Sequence, residues 1–158
     1  MNCVTIYFSK VWDEIKTVMQ EMTATLVWQN DKQFLGTTGS DHNVLIDGNR
    51  ETNSGASPME LVLTGMGGCS AYDVVHILER SRQNVTKCVT ELTAKRSSEI
   101  PAVFTDIHIH FVVAGEGLAD DKVARAVALS AEKYCSASIM LARGGVNVTH
   151  SHELHDDN

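Results

Sequence analysis

Residues 57–71, Ser-Pro-Met-Glu-Leu-Val-Leu-Thr-Gly-Met-Gly-Gly-Cys-Ser-Ala, are the stretch on which the fold turns. The first four predict a helix start. Ser57 can cap, Pro58 fits the first turn, and Glu60 stands three residues after Ser57, as in a capping box. The pattern predicts a helix to about Arg82. Leu61, Val62, Gly65, Met66, Cys69, Tyr72, Asp73 and His76 give it little polar surface before Glu79, which predicts a central helix rather than a superficial one. Gly65, Gly67 and Gly68 lower helix propensity. Close approach of another backbone would be their return.

Outward from this helix the chain alternates between strand and turn signals. Residues 23–29 and 34–38 read as a hairpin around Asn30-Asp31-Lys32-Gln33, and 44–47 as a third strand. Residues 49–57 are a polar loop. After the helix, 84–97 and 102–113 alternate as two long strands. Asp120 to Tyr134 has an amphipathic helical pattern, and Cys135 to Ala142 continues it as a second piece. Val146 to Thr149 is a last strand, and Glu153 onward reads as an acidic, frayed tail. The order β-β-β-α-β-β-α-α-β, without strict βαβ alternation, predicts an α+β fold with antiparallel sheet.

The 158 residues favour one domain with a core of its own. A net charge of -7 argues against nucleic acid or an anionic membrane as partner, since both call for a basic surface. No stretch reads as long and apolar enough to span a membrane. Four cysteines without the dense spacing of a secreted scaffold fit a reducing, cytoplasmic setting. Residues 1–21 lack the features of a signal peptide. They include an amphipathic pattern over 10–21, and they read either as an extra helix or as the product of an upstream start, with 22–158 as the main domain.

Cys69 and Cys135 are the chemistry-bearing candidates. A thiol in a mid-helix, apolar position is raised in pKa, and Asp73 one turn later would raise it further, so Cys69 needs a cation to ionise. On its own it reads as a small buried hydrophobe. Cys135 falls at a helix–helix junction, where a helix N-terminus would favour a thiolate. The two lie far apart in the chain, so composition alone does not pair them.

Residues 57–71 together with 131–148 (Ala-Glu-Lys-Tyr-Cys-Ser-Ala-Ser-Ile-Met-Leu-Ala-Arg-Gly-Gly-Val-Asn-Val) resemble the two cysteine helices of the OsmC/Ohr family of osmotically induced and organic-hydroperoxide-resistance thiol peroxidases. The resemblance covers about residues 23–152. It is nearest in wording to the YhfA-like subgroup, through Ser-Pro-Met-Glu, Gly-Gly-Cys-Ser and Ser-Ala-Glu-Lys-Tyr-Cys-Ser. It implies an OsmC-like fold, in which antiparallel sheets wrap two central cysteine-bearing helices in an intertwined homodimer. It further implies that Cys69 attacks the O–O bond of an organic hydroperoxide, and that Cys135 closes a disulfide later reduced by an external thiol. No cofactor and no metal are implied.

Two positions depart from that pattern. The organic-hydroperoxide branch has a glutamate directly after the proline. Here that position is Met59, and Glu60 is displaced by one residue, roughly 100° around a helix. Glu60 is therefore a candidate supporting acid or simply a helix cap. The same branch holds its first thiolate with an arginine from the N-terminal sheet. The hairpin at 23–38 has none, which leaves Arg50, in the following loop, as the candidate cation. Ser136 also stands where a proline often follows the second cysteine.

The remaining signals are weaker. Cys88 reads as sheet core, and Cys3 lies near the N-terminus. His108 and His110 share a strand face, and His150, His152 and His155 lie close together. They match no metal-ligand constellation. Asp73 and His76 read as ordinary helix polar residues or as lining near Cys69. Besides the peroxidase, two readings stay open: a dimer that binds a small apolar ligand, and a redox-responsive dimer locked by a disulfide.

Overall fold

The structure is a computed structural model and describes residues 21–156. The expected helix over 10–21 and Cys3 fall outside the described residues, apart from Glu21. Contacts divide the chain into two units, one ending at Ala56 and one beginning at Ser57.

The first unit is an antiparallel meander of β1 (Ala24–Asn30), β2 (Gln33–Thr38) and β3 (Asn43–Asp47). The expected hairpin forms. Asp31 takes the left-handed conformation its turn requires, with φ 42°, and the Trp28 indole N–H donates to its carbonyl at 3.0 Å. β1 is exposed along its whole length. At the end of β3, the buried Asp47 carboxylate gathers the polar loop that follows. It accepts from the Thr52 hydroxyl at 2.7 Å, the Asn49 N–H at 2.8 Å and the Ser54 N–H at 3.0 Å. Led by Thr52, these donors hold its pKa below the usual carboxylate range.

The second unit begins with α1 (Pro58–Arg80). The capping box forms as the sequence predicts: Ser57 N–H donates to Glu60 Oε2 at 2.7 Å, and Glu60 N–H to Ser57 Oγ at 3.4 Å. α1 buries Met66, Ser70, Val74 and Leu78, a stripe at four-residue spacing. Gly67 is buried beside it against the Leu92 side chain: a Cβ there would fall 2.5 Å from Leu92 Cδ1. The opposite stripe, Gly65, Gly68, Tyr72 and His76, is exposed. Within one chain the helix is therefore one-sided, not central. The expectation that no stretch is long and apolar enough to span a membrane is corrected as well. By length and composition α1 meets that description, although in the fold it packs on the sheet and on the later helices.

β4 (Asn84–Arg96) and β5 (Phe104–Glu116) form a long antiparallel hairpin. Ile107, Ile109, Phe111 and Val113 alternate inward from β5 into the core that Met66, Val74 and Leu78 of α1 share. Val123, Ala126 and Val127 of α2 (Asp120–Leu129) complete the core. The single helix expected over 120–134 is broken. A π turn spans Ser130–Tyr134, closed by Cys135 N–H to Ser130 C=O at 2.8 Å, and α3 (Ser136–Arg143) follows.

β6 (Asn147–Asp156) departs from expectation twice. It pairs parallel with β5, so this sheet is mixed where antiparallel pairing was expected. The helices between β5 and β6 form a crossover that returns the chain to the same end of the sheet, which a parallel neighbour requires. The strand also runs through the expected tail. Val148, His150, His152 and Leu154 are the more buried alternate positions, and backbone pairing to β5 carries on to Gly115↔Asp156. Histidines in that alternation hid it from hydropathy.

Candidate active site: two sulfurs at one helix N-terminus

The fold brings Cys69 and Cys135 together. With a carboxylate oxygen of Asp73, their Sγ atoms all lie within 4.8 Å of one another. Cys69 and Asp73 are one turn apart on α1 and so share a face. Cys135 is the N-cap of α3, in extended conformation with φ -67° and ψ 103°. Its sulfur accepts the Ser138 N–H at 3.4 Å, the bond a serine or aspartate oxygen makes in an ordinary cap. The π turn sets this position: its wider closure carries Cys135 off the helix path, and α3 starts afresh behind it.

A buried hydroxyl cluster surrounds Cys135, which is 0% exposed. Ser70 Oγ donates to its sulfur at 3.1 Å, and Ser138 Oγ lies 3.0 Å from Ser70 Oγ. Ser130 Oγ donates to the Ser70 carbonyl at 3.1 Å, tying the π turn to α1. Burial pushes the Cys135 thiol up in pKa. The Ser138 and Ser70 hydroxyls, the Ser138 N–H and the Cys69 thiol outweigh it and hold Cys135 below the ordinary thiol value.

Cys69, half-buried, goes the other way. Burial raises its pKa, and Cys135 and Asp73 add to the rise. The Ala137 N–H opposes this by hydrogen bonding to the Cys69 sulfur. Cys69 is thus mid-helix in α1 yet receives a backbone donor from the N-terminus of α3, a benefit its own helix position did not predict. Two adjacent N–H groups of α3, those of Ala137 and Ser138, serve the two sulfurs. None of the leading influences on either thiol is a cation. Asp73 is itself raised by burial, with His76 lowering it in part. Its Oδ2 is buried without a hydrogen-bond partner.

The other candidates have different surroundings. Glu60 is engaged in the capping box, nine residues and about 13 Å along α1 from Cys69. Arg50 is exposed in the turn after β3, in the first unit. Cys88 is half-buried against the core, as expected, with its thiol raised by burial. His76 is exposed and stacks on Tyr72 at 5.9 Å. His108 and His110 share Ser151 as a hydrogen-bond partner, while His152 pairs with Asp120 and His155 with Glu153. Sequence reasoning missed Ser70 and Ser138. The repeated Cys-Ser-Ala at 69–71 and 135–137 marks Ser70 and Ser136 and gives no sign of Ser138.

Comparison with known proteins bears on the family and the fold. The family model described as OsmC-like protein matches residues 48–151. Protein YhfA of Escherichia coli K12 is 50% identical over 133 residues, covering 84% of this chain and 98% of YhfA. The chain belongs to the OsmC family. A solved structure described as a hypothetical protein from Aquifex aeolicus VF5 is similar, with TM-score 0.79 and 30% identity over 89% of this chain and 100% of that one. The organic hydroperoxide resistance protein OhrB of Bacillus subtilis shares the fold, with TM-score 0.60 and 17% identity over 86% of this chain and 100% of its own.

Proposed function

We propose that this OsmC-family protein is a thiol peroxidase that reduces organic hydroperoxides. The observation that carries the reading is the meeting of two thiols of unequal acidity at the N-terminus of α3. Cys135 is the better anion but fully buried. Cys69 is the sulfur that a peroxide can reach. The Cys69 thiol donates toward Cys135, so Cys135 takes its proton as Cys69 attacks.

The Cys69 thiolate attacks the terminal peroxide oxygen, the O–O bond breaks and Cys69 becomes a sulfenic acid; the leaving alkoxide takes the proton from Cys135 and departs as the alcohol, which returns Cys135 to its thiolate. Cys135, as thiolate, then attacks the sulfenic sulfur. Hydroxide leaves, is protonated to water, and the Cys69–Cys135 disulfide forms. One hydroperoxide and two thiols give one alcohol, one water and one disulfide. An external thiol restores the pair, which suits a cytoplasmic protein of stress defence acting as a homodimer. The Ala137 N–H stands at the Cys69 sulfur where an arginine was expected, and these steps draw on neither Glu60 nor Arg50.

The test is to treat reduced protein with cumene hydroperoxide and with hydrogen peroxide, following free thiols and intact mass. Loss of two thiols, faster with the organic peroxide and abolished by Cys69→Ser, is the expected result. In Cys135→Ser the sulfenic acid should persist. Oxidation no faster than that of a free thiol would refute the reading. A second reading, a binder of small ligands, has one observation in its favour: a groove of about 460 Å³ in which Leu63, Ala71, Cys88 and Leu92 are joined by Thr64 and Thr90. Slow oxidation together with a co-purified small ligand would favour it.

A further inference from the structure

We propose that Cys69, Asp73 and Cys135 also form a binding site for a thiophilic divalent cation, with zinc as the representative ion. The geometry is that of a ligand set. The two sulfurs and the carboxylate oxygen lie within 4.8 Å of one another, and among the described residues they are the donors that gather in this way. Zinc bonds of about 2.3 Å to sulfur and 2.0–2.2 Å to oxygen put two tetrahedral ligands about 3.5 Å apart. Small side-chain rotations cover the difference.

The second observation is independent of the cysteines. Asp73 Oδ2 is buried and has no hydrogen-bond partner. A buried carboxylate oxygen without a partner is expensive. A cation between it and the sulfurs would satisfy that oxygen.

The surroundings suit such an ion. Cys69 and Asp73 are fixed at i and i+4 on a long helix, and Cys135 is locked at the cap of α3 by Ser70 and Ser138. Hydrogen bonds to ligand sulfurs from Ser70 Oγ and from the Ala137 and Ser138 N–H groups form the outer support that orients metal ligands. Three protein ligands leave the fourth tetrahedral position for water or an external thiol. Binding displaces the thiol protons, so affinity weakens as pH falls. The bound ion withholds both sulfurs from oxidation. The site uses the residues of the proposed peroxidase but does not depend on peroxide being its substrate.

The experiment uses full-length, reduced, chelator-stripped protein. Zinc is titrated in competition with a chromophoric chelator, and cobalt(II) is titrated separately for its absorption spectrum. One ion per chain is expected, with thiolate-to-cobalt charge-transfer absorption and the intense visible bands of tetrahedral cobalt. Asp73→Asn should weaken zinc binding at least about tenfold, and Asp73→Cys should restore or exceed the original affinity. Cys69→Ser and Cys135→Ser should each lose charge-transfer intensity, and Cys88→Ser should leave binding unchanged. The proposal is overturned if no stoichiometric zinc binds, if Asp73→Asn and Asp73→Cys both bind as the parent does, or if Cys88→Ser abolishes binding. Zinc binding without peroxide reactivity would refute only the peroxidase, and the reverse result only the metal site.

Discussion

Cys135 does the work of a capping residue with a sulfur. An N-cap side chain accepts an N–H that the helix leaves free, and a thiolate accepts it better than a thiol. Capping and ionisation therefore favour one another, and Ser70 adds a second donor from α1. Ser70→Ala should make the pair harder to ionise. The pH dependence of thiol alkylation should move to higher pH, with reaction on the order of tenfold slower near neutrality if a bond to a charged acceptor is lost. An unchanged profile would mean that Ser70 is only packing. The sign for peroxide follows: the reaction rises with pH through the first ionisation of the pair and is lost below it. The position of Cys135 at a helix start was legible in the sequence, because two helical patterns meet there. The roles of Ser70 and Ser138 were not. Which hydroxyl faces a sulfur depends on the azimuth of α1 against α3, and the π turn that sets it has no periodic signature.

The helix start at Ser57 was readable because capping is local chemistry, four residues long. Ser57→Ala should lower unfolding free energy by about 1 kcal/mol, measured by denaturant titration. Gly67 answers to β4 instead. Alanine there gains about 1 kcal/mol of helix propensity but drives a Cβ against Leu92, at a cost of about 1–3 kcal/mol for overpacking. A net loss is expected, and Leu92→Ala in the same chain should make the combined cost less than the sum. Additive effects would show that the contact is not the cause. Asp47 is an element-scale anchor with a defined sign. Its folded pKa is depressed, so its contribution is complete above the unfolded value of about 3.9 and is lost as pH falls through the folded value. Thermal unfolding followed into acid should show a steeper loss in the parent than in Asp47→Asn. β6 was half legible for the opposite reason to Ser57. Its pairing is long-range, and its inward positions include histidines whose polarity reads as tail.

At the scale of the molecule, the order of elements followed from periodicity and turn residues, but what covers them did not. A single chain leaves β1 exposed throughout, with Trp28 63% accessible, and leaves Tyr72 on α1 70% accessible. Under the homodimer proposal a second copy covers apolar surface of this kind. Gly68 offers a sharp test, because the two alternatives predict opposite signs. In the lone chain a Cβ at Gly68 meets nothing within 4 Å. If that face stays bare, Gly68→Ala stabilises by about 0.5–1 kcal/mol through helix propensity. If another chain's backbone packs against it, the same methyl group intrudes on the contact, so dimer dissociation shifts to higher protein concentration and unfolding becomes more concentration-dependent. Sedimentation equilibrium and denaturant unfolding at two protein concentrations separate the cases. A dimeric parent with a destabilised Gly68→Ala is the expected outcome. A monomeric parent stabilised by the substitution would remove the homodimer, and with it the reason for a glycine stripe on an exposed helix.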